Sequence, residues 1–386
     1  MWRNLASNVF NLIGIMLLLL GGAAIWGKSQ YYNKGPLSKP ICLRVDSGSK
    51  MRTLSENLVE NTAISNAAIF RIGIEYEGKA GQLKAGNFLI EQESSMASIA
   101  QSITQGGPNT CGSEVIYRVG INSTQVQVRE MDPTTRRFEK ILNFELATDA
   151  QKAFEELLQT SGMRHRIALA EGVTSHRVVE TINQIEILSG SILDKPLEGS
   201  LSPKSYELRQ GDDRTALLLK MQVSQTAHVR DAWLDRAEGL PLTSENDALI
   251  LASIIEKETG LSSERALVAS VFINRLNRGM PLQTDPSVIY GITKGEYSLG
   301  RGLRKSELSK DTPWNTYLNK GLPPTPISNP GLQSILAAVN PADTEYVYFV
   351  ADGEGSHAFA KNLKEHNINV AKWRAIEALR KKSQEN

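Results

Sequence analysis

Nineteen consecutive residues, Val9 to Gly27 (VFNLIGIMLLLLGGAAIWG), carry no charge and include one polar side chain, Asn11. As a helix rising 1.5 Å per residue this stretch reaches about 28 Å, close to the hydrocarbon thickness of a bilayer. Trp2 and Trp26, with Tyr31 and Tyr32, fall where interfacial aromatics sit. A cleaved signal peptide is the rival reading, because Gly22 to Ala24 offer small residues at a cleavage distance and Arg3 forms a minimal positive n-region. Apolar length favours the uncleaved anchor. No other segment is apolar enough to span, so everything after Gly27 is expected to form one soluble body on one side of a membrane. Arg3 before the span and Lys28, Lys34 and Lys39 after it leave the positive-inside rule undecided.

With 386 residues the chain has room for two or three folded units. Its formal net charge is only +1, without a long block of one sign, so nothing indicates a nucleic-acid partner. The two cysteines, Cys42 and Cys111, both belong to the body. An exported body favours a disulfide between them; a cytoplasmic one favours two buried thiols.

Gly35, Pro36 and Pro40 mark residues 28–40 as a linker. Residues 41–105 then follow a strand, helix, helix, strand pattern. Ile41, Leu43 and Val45 alternate, Met51, Leu54 and Leu58 share a helical face, and so do Ala68, Ile69 and Ile72. Asn87 to Ile90 returns as a strand, and Ser94 or Ser95 caps a helix from Met96 to Thr104. Residues 106–163 look like an insertion, with strands at Val115 to Val119 and Val126 to Val128 and a helix over Ala150 to Leu158. Beyond it come a strand at Arg166 to Leu169 and helices at Ser175 to Gln184 and Thr215 to Arg236.

The segment Leu249 to Gly260, LILASIIEKETG, runs an apolar helical stripe into a carboxylate. At about 3.6 residues per turn, Leu251, Ile254, Ile255 and Glu258 share one face, while Glu256 falls with Ala252 and Ser253 on the other. A carboxyl group on the buried side loses hydration and its pKa rises, which keeps a general acid protonated near neutral pH. The bland alternative is a frayed last turn with both glutamates solvated. Ser262 or Ser263 would cap the next helix, with Glu264 in its first turn, Val268, Val271, Phe272 and Leu276 on its apolar face, and Gly279 past its end. The loop Leu282 to Tyr290, LQTDPSVIY, then gathers Gln283, Thr284, Asp285 and Tyr290, polar groups with an aromatic, as a carbohydrate site requires. The same residues would also serve to cap a helix.

Two carboxylates flank the scissile bond in the usual glycosidase. Glu256 and Glu258 cannot form that pair, because residues two apart on a helix face nearly opposite ways. Asp285 could supply a second acid; without one, internal displacement by a substrate hydroxyl is more attractive than water activation. The histidines, His165, His176, His228, His357 and His366, show no HExxH spacing and the cysteines no CxxC pair, so no metal site is expected. There is no phosphate-binding loop, dinucleotide fingerprint or GxSxG elbow.

Three stretches, ILASIIEKETG, SSERALVASVFINRL and GMPLQTDPSVIYGI, resemble the signature of the endolytic murein transglycosylases, membrane-anchored lytic enzymes of bacterial cell-wall synthesis. NTYLNKGLPPTPI from Asn315, YVYFVAD from Tyr346, and His366 with Asn367 fit in the same order. Upstream, Val45 to Leu58 is similar to the family's LysM-like subdomain, and Glu171, Gly172 and EGSLSPKSYEL fit its middle region. Lys204 and Ser205 depart from the Asp and Thr common before the tyrosine, here Tyr206, and residues 106–163 have no counterpart in shorter members.

The resemblance implies an α+β chain: a short cytoplasmic N-terminus at 1–8, a transmembrane helix at 9–27, the linker, a LysM-like α/β subdomain at 41–105, and a mixed α+β catalytic domain at 164–386. It implies one catalytic glutamate, Glu258, that protonates the bond between N-acetylmuramic acid and N-acetylglucosamine and then deprotonates the muramyl C6 hydroxyl, closing a 1,6-anhydro ring. Gln283, Asp285, Tyr290 and Asn315 are the expected substrate-lining residues. No metal or organic cofactor is implied. The implied partners are glycan strands, peptidoglycan synthases and the inner membrane, with the body periplasmic and strand elongation terminated by cleavage. Two other readings stay open: a muramidase in which Asp285 positions water, and a non-catalytic cell-wall-binding scaffold for a synthase.

Overall fold

The computed structural model describes residues 2–46, 48–105, 107, 111–146, 154 and 163–384. The apolar run forms helix α1 (Trp2–Tyr32), of which Leu12–Tyr32 is long and apolar enough to cross a membrane. The helix does not stop where the uncharged run stops, and the expected linker 28–40 is helical through Tyr32. Packing extends it. Tyr31 is 3% exposed, with its ring so close to Gly73 that a Cβ there would lie 2.3 Å away, and the Tyr32 hydroxyl donates to Glu77 at 3.0 Å.

The chain forms two compact units, residues 1–115 with 127–165, and residues 116–126 with 166–386. The first holds β1 (Ile41–Val45), α2 (Met51–Glu60), α3 (Ala67–Tyr76), β2 (Gly86–Ile90) and α4 (Met96–Gln105) in the expected order. The β1 and β2 strands pair antiparallel, with Leu43 opposite Phe88. Asn66 accepts from the Ala68 and Ile69 amides at the start of α3, and Ser95 from the Ser98 amide at the start of α4, so orphan N–H groups are satisfied at both ends. Leu43, Leu54, Leu58, Phe70, Ile74, Phe88, Ile99 and Ile103 close the core beneath them.

Cys42 and Cys111 are joined by a disulfide across 69 positions of sequence. A loop of that length corresponds to about 4 kcal/mol in the chain-entropy account. Replacing both cysteines by serine is therefore expected to lower the melting temperature of the non-reduced protein by several degrees; an unchanged transition in calorimetry would show the crosslink to be energetically idle.

Strands β3 (Ser113–Val119), β4 (Thr124–Met131), β5 (Phe138–Glu145), β6 (Arg164–Leu169) and β7 (Ser205–Leu208) form a sheet of order β5-β4-β3-β6-β7. Strand β5 escapes sequence reading because Ile141 is exposed between the expected inward positions, which blurs the period of two. Except for Phe154, the helix expected over Ala150 to Leu158 lies outside the described residues.

The second unit adds α5 (Ser175–Gln184), α6 (Arg214–Leu234), α7 (Glu245–Glu258), α8 (Arg265–Asn277), α9 (Asp285–Thr293), α10 (Lys305–Leu308), α11 (Leu332–Val339), the hairpin β8 (Tyr348–Ala351) with β9 (His357–Ala360), and α12 (Leu363–Gln384). Helices α6, α8, α9 and α11 surround α7, and every residue from Ile250 to Ile255 on it is buried. Arg214, also buried, binds the carbonyls of Ile182, Ile185, Leu188 and Gly190 and so closes the open end of α5.

Candidate active site

Because α7 is buried on every face from Ile250 to Ile255, facing alone does not separate its acids. Glu256, expected on the face away from Glu258, has a side chain only 5% exposed, accepting the Gly331 amide at 2.9 Å and pairing with Arg265 at 3.6 Å. Arg265 also reaches Glu171 at 3.2 Å, and Glu171 lies where a Cβ on Gly331 would collide with it. Lys257 turns toward the Gly172 carbonyl at 3.5 Å. Glu256 is thus bound into a buried structural network. No ion pair neutralises Glu258 among the described residues.

Glu258 is the last residue of α7, and Thr259 leaves the helix in extended backbone. The junction to α8 is held by Glu264, buried rather than solvated. Its carboxylate accepts from the Thr259 hydroxyl (3.1 Å), the His357 amide (2.7 Å) and His357 Nδ1 (2.7 Å). Glu264 therefore stands at the cap of α8, where Ser262 or Ser263 was expected. Gly279 follows the helix with φ of 62°, the left-handed conformation that favours glycine past a C-terminus. A fixed turn of this kind removes the frayed-end reading of Glu258.

Burial pushes the Glu258 carboxyl up to about 7. The nearby Asp285 carboxylate also raises it, while Thr284 and the Arg275 guanidinium pull the other way. Thr284 is buried, and its hydroxyl lies close enough to the acid to favour the charged form. Glu258 retains partial exposure, as an acid that meets substrate must.

Asp285 and Gln283 are exposed beside this acid. The expected loop is in part a helix: Asp285 is the first residue of α9, with Pro286 next, where its missing N–H costs nothing. Asp285 accepts the Tyr317 hydroxyl at 2.6 Å, and Tyr317 in turn lies within electrostatic reach of Glu258. Gln283 has φ of 51°, and its amide donates to the Thr316 carbonyl at 3.0 Å. Arg275 underlies the group, donating to the carbonyls of Val347 (2.7 Å) and Leu282 (2.8 Å), with the Tyr348 ring 5.3 Å from its guanidinium carbon. His366 stacks on Tyr348 at 5.0 Å between centroids, and burial holds its pKa down, with Arg275 adding to the effect.

Two expected lining residues lie elsewhere. Asn315 is 0% exposed; its side chain binds the Leu308 and Lys310 carbonyls and the Tyr317 amide, so it orders the chain that carries Tyr317. Tyr290 packs on Trp314 at 5.9 Å and faces Glu198 and Thr325 in a separate cluster. In that cluster, burial raises the Glu198 pKa, and Glu198 accepts from the Ser175 amide and hydroxyl. Periodicity and motif spacing assign no role to Arg275, Tyr317 or Tyr348. Arg275 carries a signal, the one cation in the run VFINRL, where Asn274 is the one other polar residue; the tyrosines lie in motifs whose spacing singles out no individual side chain.

An acid held protonated near neutrality, beside a carboxylate and a tyrosine hydroxyl at an accessible surface, can donate a proton to a leaving oxygen and take one back. Comparison with known proteins adds identity of lineage to this geometry. The sequence model of the YceG-like family matches residues 43–372. An endolytic murein transglycosylase of Bacillus subtilis is 30% identical over 357 residues, covering 92% of this chain and 91% of that one. One from Streptococcus pneumoniae serotype 2 is 26% identical over 341 residues, 86% of this chain and 58% of that longer protein. A crystal structure of a yceG-like protein from Listeria monocytogenes is 25% identical, with a TM-score of 0.45 over 85% of this chain and 98% of that one.

Proposed function

The chain belongs to the YceG-like family, and from that membership we propose that it is an endolytic murein transglycosylase, a peptidoglycan lyase, with Glu258 as its acid. The observation that carries the assignment of the acid is the contrast within α7: Glu256 is ion-paired and hydrogen-bonded, whereas Glu258, its carboxyl pushed up to about 7 by burial, makes no ion pair among the described residues.

In the proposed reaction the Glu258 proton passes to the glycosidic oxygen as the bond from muramyl C1 breaks. The carboxylate so formed takes the proton of the muramyl C6 hydroxyl, whose oxygen closes on C1. The acid is restored, no water is consumed, and the product end is a 1,6-anhydro sugar. Proximity of the hydroxyl within the same ring favours this route. Asp285 serves it by raising the proton affinity of Glu258, and Gln283 and Asp285 offer exposed polar groups to the glycan.

The position of Asp285 also suits a muramidase in which that carboxylate positions water. Mass spectrometry of fragments released from purified peptidoglycan separates the two. Anhydromuramyl ends support the lyase, reducing ends the hydrolase, and an absence of fragments would sink both in favour of the scaffold.

Activity should require protonated Glu258, so kcat/KM is expected to fall as pH rises through about 7. Asp285→Asn removes a charge that raises this pKa, so its basic limb should move to lower pH while the acid still functions. A limb unmoved by this change would remove Asp285 from the electrostatics of the acid.

The anchor and orientation form part of the same proposal. Helix α1 holds the protein in the inner membrane with its N-terminus in the cytoplasm and its body in the periplasm. The Cys42–Cys111 disulfide supports that side, since such bonds persist in oxidising compartments. The strand, helix, helix, strand order and antiparallel β1–β2 pair support a LysM-like reading of residues 41–105. Glycan strands are the substrate, and cell-wall synthases are the proposed protein partners.

A further inference from the structure

Helix α3 exposes two large apolar side chains one turn apart, Ile72 at 69% and Tyr76 at 90%. Outside α1 they are the most exposed large apolar residues described in the first unit. The neighbouring stripe of α3 is used differently: Gly73 receives the Tyr31 ring and Glu77 receives the Tyr32 hydroxyl. Helix α3 is thus bound to the last turn of the helix that leaves the apolar span.

Height along that helix decides what the exposed stripe meets. From Gly27 to Tyr32 the axis rises roughly 8 Å, about the depth of the polar headgroup layer that lies on each side of the hydrocarbon. Tyr76 also lies close enough to Tyr32 to interact with it electrostatically. A tyrosine and an isoleucine at that height match the aromatic and aliphatic side chains that partition into the interface. Glu77 is neutralised there by Lys79 at 2.7 Å; Glu75 bounds the stripe on its other flank and stays exposed.

We infer that the Ile72 and Tyr76 face of α3 lies in the headgroup layer of the bilayer that α1 spans and touches lipid directly. The inference rests on the anchor reading of α1. A nitroxide placed on Ile72→Cys or Tyr76→Cys of the full chain, kept non-reduced so that Cys42 and Cys111 stay paired, tests it. The protein is reconstituted in vesicles of phosphatidylethanolamine and phosphatidylglycerol. The ratio of collisions with oxygen to collisions with a water-soluble nickel chelate should be several-fold higher at both sites than at the exposed control Glu56→Cys on α2. A probe on Leu18→Cys reports the anchor separately.

Lipid-like values at positions 18, 72 and 76 support the inference. A lipid-like value at 18 with aqueous values at 72 and 76 overturns it while leaving the anchor intact. Immobilised probes at 72 and 76 that neither reagent reaches would mark a protein partner on this face and overturn it as well. An aqueous value at 18 would remove the anchor and the inference together.

Discussion

Glu258→Gln is expected to reduce release of glycan fragments from purified peptidoglycan by roughly a thousandfold, the scale of a general acid's contribution. The same change should make the folded protein more stable at high pH. The folded pKa of Glu258 stands at about 7, above its ordinary value of 4.5, so the native state holds this proton more tightly than the unfolded chain. The cost to folding is absent below the unfolded value, grows as pH rises between the two, and is fully present above 7. Discounted for partial exposure, it amounts to roughly 2 kcal/mol. The variant should therefore melt above the wild type at pH 8 and level with it near pH 4. Wild-type-like cleavage would remove Glu258 from the chemistry; lost cleavage with unchanged pH dependence of stability would leave its role but contradict its raised pKa.

Arg275→Met should act on stability and activity together. The guanidinium binds the carbonyls of Val347 and Leu282 from a site of 7% exposure, and methionine satisfies neither acceptor. Leaving such groups unpaired costs about 3 kcal/mol in total. Those carbonyls belong to the chain leading into β8 and to the segment before Gln283, so the turn carrying Gln283 to Asp285 loses its support. Removing the cation also raises the Glu258 pKa further, so whatever activity survives should extend to higher pH than in the wild type. Chemical denaturation and a pH profile measured on one preparation would read both effects; unchanged denaturation would show that other contacts hold the segment.

Residues that act through local periodicity were legible in the sequence. The apolar run, the helices α2, α3 and α5 and the acid ending α7 all announce themselves within one or two turns of chain. What was hidden depends on partners distant in sequence. Periodicity parts Glu256 from Glu258 by face, but their electrostatics differ only once Arg265, Gly331, Thr284 and Asp285 are brought beside them. The facing argument selects Glu258, yet α7 is buried on every face from Ile250 to Ile255, so the ion pair of Glu256 rather than facing distinguishes the two acids. Asn315 carries the polarity of a lining residue but spends all of it on the chain around Tyr317. Tyr290 leans on Trp314, and no spacing rule reveals which of two clusters an aromatic will join.

The unbroken passage of α1 into its contacts with α3 has a rotational consequence. A flexible tether would fix how far the first unit stands from the membrane and leave its heading free. Here Tyr31 and Tyr32 lock the heading as well, because the same helix that sets height also sets azimuth. One residue inserted between Trp26 and Tyr31 would turn the first unit by about 100° about the helix axis, whereas the same insertion in residues 33–40 would leave the contacts of α1 with α3 in phase. With α1 as the anchor proposed above, the helix behaves as a keyed shaft, not a leash.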